Sequence, residues 1–386
     1  MLTPFLVISA IAAAVTAYGV GRLIAFTHMT KPLKIGTTAF MCLAVVAHFF
    51  LLFNETDFTR ETLADWVPVT ALFVTLGFLF FLVSLVRDII TGVRALYRRS
   101  RGLEPAGRDI FSLILAGVCT LVALVFSVTG TWTALSEPYV EEMKVTVKRL
   151  PAELEGLRVA QITDLHASSV FPRERTEAIV KLVNEAKPDL ILFTGDLADG
   201  DRNRREFDVE PLAGLKSTYG VYGITGNHDY PPAQADASAK LFQTAGIKLL
   251  QNETVTLDVK GKKVTVVGLP DGAAARAGLD APDLAKALSG VSADDLRILL
   301  DHRPGNAEAN SNPQFGIDLQ LSGHTHGGQM GILSGLVAAF NVGFVKGFYT
   351  LGNMTLYVSQ GTAMWPGLTL RTGTWNEIPV FTLSAK

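Results

Sequence analysis

Leu190-Ile191-Leu192-Phe193-Thr194 runs without a break into Gly195-Asp196-Leu197-Ala198-Asp199. A short apolar run bounded by Asp and Gly reads as a buried strand, and its acidic residues sit just past the strand end. The same grammar recurs in four other places. Val159 to Thr163 leads into Asp164-Leu165-His166, and Val221 to Thr225 leads into Gly226-Asn227-His228-Asp229. Arg297 to Asp301 leads into His302, and Asp318 to Ser322 leads into Gly323-His324-Thr325-His326-Gly327-Gly328-Gln329. Open α/β sheets place their ligands beyond strand ends, so these ends are expected to meet in one site.

Helical and extended patterns interleave around these blocks. Arg173 to Ala186 carries an apolar stripe of Ile179, Leu182, Val183 and Ala186, with Pro188 after its end. Pro232 to Ala245 predicts a second helix, stopped by Gly246, and Ala281 to Ser289 a third. Strands are expected through Val145, Val147 and Leu150, then over Ile247–Leu250, Val255–Val259 and Val264–Leu269, with a hairpin turn at Gly261-Lys262. Thr355–Ser359 and Ile378–Leu383 predict two late strands. The pattern predicts an α/β sandwich of four layers, two mixed β-sheets flanked by helices.

The first third of the chain is different. Hydrophobic residues make up 48% of the sequence, and their excess falls before about residue 135. Four apolar stretches, Phe5–Gly21, Ile35–Phe53, Val67–Val86 and Ile110–Trp132, contain no Lys, Arg, Asp or Glu. Each is near the ~20 residues that span a bilayer as a helix. Residues 1–134 are therefore expected to form a transmembrane region of four helices, and 135–386 the catalytic domain. A cleaved signal peptide competes for the first stretch through Ala12-Ala13-Ala14, but Met1-Leu2-Thr3-Pro4 supplies no basic region. His48 falls inside the second stretch and reads equally as a packed bundle residue or an intramembrane functional group; His28 carries no signal.

Loop charge gives the orientation. Arg22, Lys31 and Lys34 follow the first span, and Arg87, Arg94, Arg98, Arg99, Arg101 and Arg108 follow the third. The second loop sets Arg60 against Glu55, Asp57, Glu61 and Asp65. Positive charge stays inside, so a multi-pass protein of the cytoplasmic membrane is expected, with its catalytic domain on the outer, periplasmic or extracellular face. A net charge of −2 argues against a nucleic-acid partner. The two cysteines, Cys42 and Cys119, lie in apolar segments, which excludes a disulfide framework and a thiolate metal site in the catalytic part.

The histidines carry the chemistry. Five follow residue 135, namely His166, His228, His302, His324 and His326, and each stands at a strand end in one of the motifs, which also supply Asp164, Asp196 and Asn227. Imidazole, carboxylate and one amide, without thiolate, favour Mn, Fe or Zn. The set is too large for one tetrahedral ion and sufficient for two divalent transition-metal ions. Such a pair suits phosphoester chemistry, because water between two cations becomes a nucleophile near neutral pH while both neutralise phosphoryl charge. Glycines 195, 226 and 323 let the backbone turn tightly and approach a substrate.

The ordered blocks Asp164-x-His166, Gly195-Asp196-x-x-Asp199, Gly226-Asn227-His228-Asp229, His302 and Gly323-His324-x-His326 resemble the calcineurin-like metallophosphoesterase superfamily. The extended Gly-His-Thr-His-Gly-Gly-Gln form is similar to its bacterial membrane-associated branch, from about Pro138 to the end. The resemblance implies that Asp164, His166 and His326 hold one ion, Asn227, His302 and His324 the other, and that Asp196 bridges them. It also implies His228 as a catalytic proton donor or phosphate contact, oriented by Asp229. Where the branch often has Ser-Arg-Gly, this chain has Ser359-Gln360-Gly361, leaving Arg371 as the substitute phosphate contact.

The expected activity is hydrolysis of a phosphoester by a metal-bridging hydroxide in a membrane-anchored enzyme. Met330 to Phe340 is an apolar, Gly-bearing run just after His326, readable as core packing or as a lipid groove or membrane-dipping loop. With the four spans, it points to a phosphorylated, lipid-linked substrate. The alternative is a pyrophosphatase or phosphodiesterase acting on a nucleotide-linked lipid such as a UDP-sugar lipid, which conflicts with the outward topology if that lipid is made in the cytoplasm.

Overall fold

The computed structural model describes residues 2–25, 27, 29–53, 64–105, 109–231 and 233–385. Met1, His28, Glu55, Asp57, Arg60, Glu61, Arg108 and Pro232, used in the sequence reading, lie outside them. The chain divides into two compact units, Met1–Thr133 with Gly367–Leu370, and Ala134–Pro366 with Arg371–Lys386.

The first unit contains helices Leu2–Ile24, Lys31–Phe53, Val67–Ser100 and, up to Thr133, Ile110–Leu135. All four are long and apolar enough to cross a membrane, with mean hydropathy from 1.7 to 2.6. Small residues allow close approach between helices, as membrane bundles require: a Cβ on Gly19 would lie 2.5 Å from the Phe81 backbone nitrogen. The third helix runs to Ser100, well past the apolar stretch ending at Val86. Arg87, Arg94, Arg98 and Arg99 therefore sit on a helical extension and not in a loop, because Arg is a good helix former and charge does not stop a helix. His48 is fully buried, its Nδ1 3.1 Å from Thr70 Oγ1.

The second unit holds twelve strands among the described residues. They are β1 (Tyr139–Thr146), β2 (Arg158–Ile162), β3 (Leu190–Thr194), β4 (Val221–Ile224), β5 (Lys248–Leu249), β6 (Glu253–Val259), β7 (Lys262–Gly268), β8 (Leu296–Leu300), β9 (Leu319–Ser322), β10 (Gly347–Leu351), β11 (Met354–Val358) and β12 (Glu377–Ser384). Two six-stranded mixed sheets result, with orders β1-β12-β2-β3-β4-β5 and β10-β11-β9-β8-β7-β6.

Period-two alternation builds the layers. Leu190 and Leu192 of β3 pack between the sheets with Val159, Ile224, Val264, Ile298, Leu300 and Leu321. Ile191 and Phe193 point the other way, onto Ile179 and Val183 of helix Arg173–Glu185 and Leu241 and Phe242 of helix Ala235–Thr244. On the far face of the second sheet, Val267, Leu299 and Leu356 cover Leu284, Ala287 and Ala307. The expected four-layer α/β sandwich is thus formed.

Several elements differ from the sequence reading. β1 begins at Tyr139 and ends at Thr146, short of Val147 and Leu150, because it pairs in parallel with β12 along its whole length. The hairpin turns at Lys260-Gly261, both with positive φ, one residue before the expected position. The helix expected over Ala281–Ser289 shrinks to Leu284–Ala287, starting where the Asp283 carboxylate accepts from Lys286 N at 2.9 Å. β10 was not expected; it is an edge strand fixed only by its antiparallel pairing with β11.

Candidate metal centre

Parallel pairing of β2 with β3, β3 with β4, and β8 with β9 brings the carboxyl ends of these strands to one side. The two sheets are tied there by polar contacts. Gln161 Nε2 donates to Thr194 Oγ1 at 2.8 Å and to the Ser322 carbonyl at 3.0 Å. The residues expected as ligands leave the strands on unusual backbone. Asp164, His166, Asp196, His324 and His326 have φ between 47° and 70°. A left-handed conformation costs a non-Gly residue about 1–2 kcal/mol, and such strain gathers at functional sites. Close approach makes two glycines obligatory. A Cβ on Gly226 would lie 2.2 Å from Asp196 Oδ1, and one on Gly323 2.3 Å from Asp164 Oδ2.

Two histidines are pinned from behind. His166 Nδ1 is 2.7 Å from Asp199 Oδ2, and His302 Nδ1 is 2.7 Å from the Thr194 carbonyl oxygen. Both partners accept, so Nδ1–H donates in each ring and Nε2 faces inward. His166 Nε2 lies 3.6 Å from Asp196 Oδ2 and 4.0 Å from Asp164 Oδ1, and it is buried with no hydrogen-bond partner. His302 Nε2 lies 3.3 Å from Asp196 Oδ2 and 3.2 Å from Asn227 Oδ1. His326 Nε2 stands 3.6 Å from Asp164 Oδ1. Nitrogen lone pairs and carboxylate oxygens therefore converge on the same points. The groups Asp164, His166, His326 and Asp164, Asp196, His302 each place their ligand atoms within 4.8 Å of one another. This donor set fits borderline divalent cations. His324 completes the cluster, with its ring 5.1 Å from that of His302 and its amide donating to both Asp164 oxygens.

Buried negative charge dominates the electrostatics. Burial alone would lower the His302 pKa, but the Asp196 carboxylate outweighs it and pushes the ring up to about 10. Burial likewise opposes protonation of His228, and the neighbouring Asp199 and Asp196 raise it to about 9. Burial pushes Asp196 up, yet the surrounding imidazoles of His302 and His228 leave it well below the usual carboxylate range. Burial, followed by the positive charges of His302 and Arg303, drives His324 down to about 3.

Some residues take roles other than those expected. His228 is oriented by Asp199, not Asp229: its Nδ1 is 2.7 Å from Asp199 Oδ1. One carboxylate thus holds both His166 and His228. Asp229 accepts instead from backbone N–H groups of Asp196 at 2.9 Å, Leu197 at 3.0 Å and Gly226 at 2.7 Å. It ties the Asp196 and Gly226 turns together. Arg371 is not a phosphate contact. It is 1% exposed and donates to the carbonyls of His326, Gln360 and Ala363, so it braces the His326 turn. Gln360 is held by Glu377, which accepts from its backbone N–H and from Nε2.

No motif marks the Arg303–Asp271 pair, 2.6 Å apart, whose guanidinium also reaches His324 Nε2 at 3.3 Å. Arg303 directly follows His302 and was the only local signal. A cavity of about 620 Å³ opens beside Asn227, walled by Tyr230, Pro231, Ala273, Arg276 and Leu279.

The chain is similar to known proteins. A family model described as calcineurin-like phosphoesterase matches residues 157–328. An uncharacterized metallophosphoesterase of Campylobacter jejuni is 30% identical over 355 residues, covering 92% of this chain and 90% of that one. A transmembrane protein with metallophosphoesterase domain from Bos taurus is 31% identical over 372 residues, covering 91% and 80%. Its counterpart from Danio rerio is 32% identical over 333 residues, covering 83% and 74%. With its strand-end cluster of imidazoles and carboxylates and its four apolar helices, the chain belongs to the calcineurin-like phosphoesterase family, as a membrane protein with metal-dependent phosphoester hydrolase activity.

Proposed function

We propose that the catalytic unit uses two divalent transition-metal ions to hydrolyse a lipid-linked phosphoester on the outer face of the cytoplasmic membrane. Asp164, His166 and His326 would hold one ion, and Asn227, His302 and His324 the other, with Asp196 shared. The observation that carries this reading is the pair of pinned imidazoles. His166 and His302 approach Asp196 Oδ2 at 3.6 and 3.3 Å, each with its outer nitrogen already engaged. When bound, such ions supply Lewis acidity toward the phosphoryl group and lower the pKa of water.

The chain's own residues do the rest. Asp199 fixes the His228 ring, which donates its proton to the leaving-group oxygen. Asp229 keeps the Asp196 and Gly226 turns in register. The cavity beside Asn227 takes the leaving group, and Arg276 in its wall meets a second anionic group. Four membrane helices in the same chain support a substrate that arrives within the bilayer, and the basic residues between the first and second spans (Arg22, Lys31, Lys34) and beyond the third (Arg87 to Arg101) support the outward orientation.

The test uses the full chain in detergent, loaded with Mn, Zn or Fe, on phosphatidate, a lipid diphosphate and p-nitrophenyl esters. Metal-dependent release with higher kcat/KM on a lipid phosphate is expected. Clear preference for the water-soluble esters would remove the lipid reading. A reporter fused at the C-terminus should be active only outside the cytoplasm; activity inside would favour the nucleotide-linked lipid.

A further inference from the structure

The segment between His326 and β10 presents its apolar side chains outward. Leu336 and Phe340, four residues apart on helix Ser334–Phe340, share one face, and Ile332 stands in the 3-10 turn Gly331–Leu333 that leads into it. Ile332, Leu336 and Phe340 are 84%, 57% and 80% exposed, and Val342 beyond them is 54% exposed. A helix on a soluble domain normally turns such a stripe to the core.

This projection is held in place at its base. Met330 and Phe344, at its two ends, are buried, and Phe344 packs edge-on to Tyr349 with centroids 4.9 Å apart. Gly331 N donates to the Thr372 carbonyl at 2.9 Å, and Thr325 Oγ1 donates to the Val345 carbonyl at 2.6 Å. Thr325 lies between His324 and His326, so the projection is fastened to the metal-centre turn itself.

The surrounding chemistry names the partner. No charged residue occurs from Met330 to Val345, and the first charge after it is Lys346. Lys346 Nζ lies 5.5 Å from the centroid of the half-exposed Trp375 ring. An apolar stripe edged by Lys and Trp, with no acidic group, matches the headgroup boundary of an anionic bilayer. A bilayer is also the partner that four spans in the same chain keep permanently at high effective concentration.

We infer that Gly331–Phe340, with Val342, is a membrane-dipping element that seats the metal-centre turn at the lipid surface. It rests on the proposed function in one respect: it gives that site its access to a phosphate held at the headgroup level. The insertion itself does not depend on which ester is cleaved.

The test reads insertion and catalysis separately. In the full chain with Cys42→Ala and Cys119→Ala, a fluorophore is placed at Phe340→Cys, or at Lys260→Cys on the remote exposed hairpin. The protein is reconstituted in phosphatidylcholine–phosphatidylglycerol vesicles containing shallow doxyl-lipid quenchers. Strong quenching at 340 and none at 260 is expected. Equal quenching at both positions overturns the inference. So does disulfide crosslinking between two copies of the unlabelled Phe340→Cys chain, which would assign the stripe to a second copy. In the second arm, Ile332→Ser with Leu336→Ser and Phe340→Ser should lose quenching from a label at Val342→Cys. It should also lose roughly tenfold or more in kcat/KM on vesicle-borne phosphatidate, with p-nitrophenyl phosphate turnover unchanged. Loss of the soluble activity together with the lipid activity would make the stripe a structural element of the site and overturn the inference. Quenching at 340 with no preference for lipid phosphate would sustain the insertion and remove the lipid-linked substrate instead.

Discussion

Removing the Asp199 carboxylate should damage metal retention and proton transfer together. The side chain accepts from His166 Nδ1 and His228 Nδ1, both at 2.7 Å, in a buried setting. Hydrogen bonds to a charged group contribute about 1.5–3 kcal/mol each. Loss of the one behind a metal-binding imidazole weakens metal affinity about 10–100-fold, or about 1.4–2.8 kcal/mol at 1.4 per decade. Loss of the one behind His228 removes most of the benefit of a positioned proton donor, about 100-fold or more in kcat. For Asp199→Ala, competitive chelator titration should show the metal loss. kcat at saturating metal should show the second effect after the first has been overcome. Asp199→Asn retains one acceptor oxygen, so it should rescue one defect and not both. Wild-type metal affinity and wild-type kcat in Asp199→Ala would refute the bridging role.

Gly226→Ala should abolish metal-dependent activity while the chain still folds, because the new Cβ would fall 2.2 Å from Asp196 Oδ1 and 2.5 Å from its backbone nitrogen; about 1–3 kcal/mol of overpacking should appear in Tm. Asp229→Ala strands three backbone N–H groups and should cost roughly 3 kcal/mol of stability in the metal-free protein, read by denaturant unfolding. Metal content should fall steadily as pH is lowered, since protons compete for the imidazole nitrogens and the buried Asp196 carboxylate pushes the His302 ring up to about 10. Dialysis at stepped pH followed by elemental analysis checks the sign: retention at high pH, release at low pH.

Much of this was legible in the sequence because burial and chemistry coincide at the strand ends. The apolar runs before Asp164, Asp196, His302 and His324 became β2, β3, β8 and β9, buried on both faces, and the run before Asn227 became β4, buried at its carboxyl end. A helix stripe such as Ile179 and Val183 repeats at helical spacing and could be read directly. What escaped was whatever depends on distant pairing. β10 exists only through β11, and β1 takes its length from β12. The exchange of roles between Asp199 and Asp229 was hidden for the same reason. Adjacency to His228 in sequence suggested Asp229, whereas left-handed turns at Asp164, His166 and Asp196 aim the Asp199 carboxylate at both rings. Arg371 looked available as an isolated cation, but it is consumed by carbonyls contributed from three separate residues.

The paired-cation centre is tested most directly by anomalous diffraction from crystals of the Mn-loaded protein. Two peaks about 3.5–4 Å apart are predicted, with Asp196 touching both, Asp164, His166 and His326 around one, and Asn227, His302 and His324 around the other. A single peak, or peaks away from Asp196, would contradict the account.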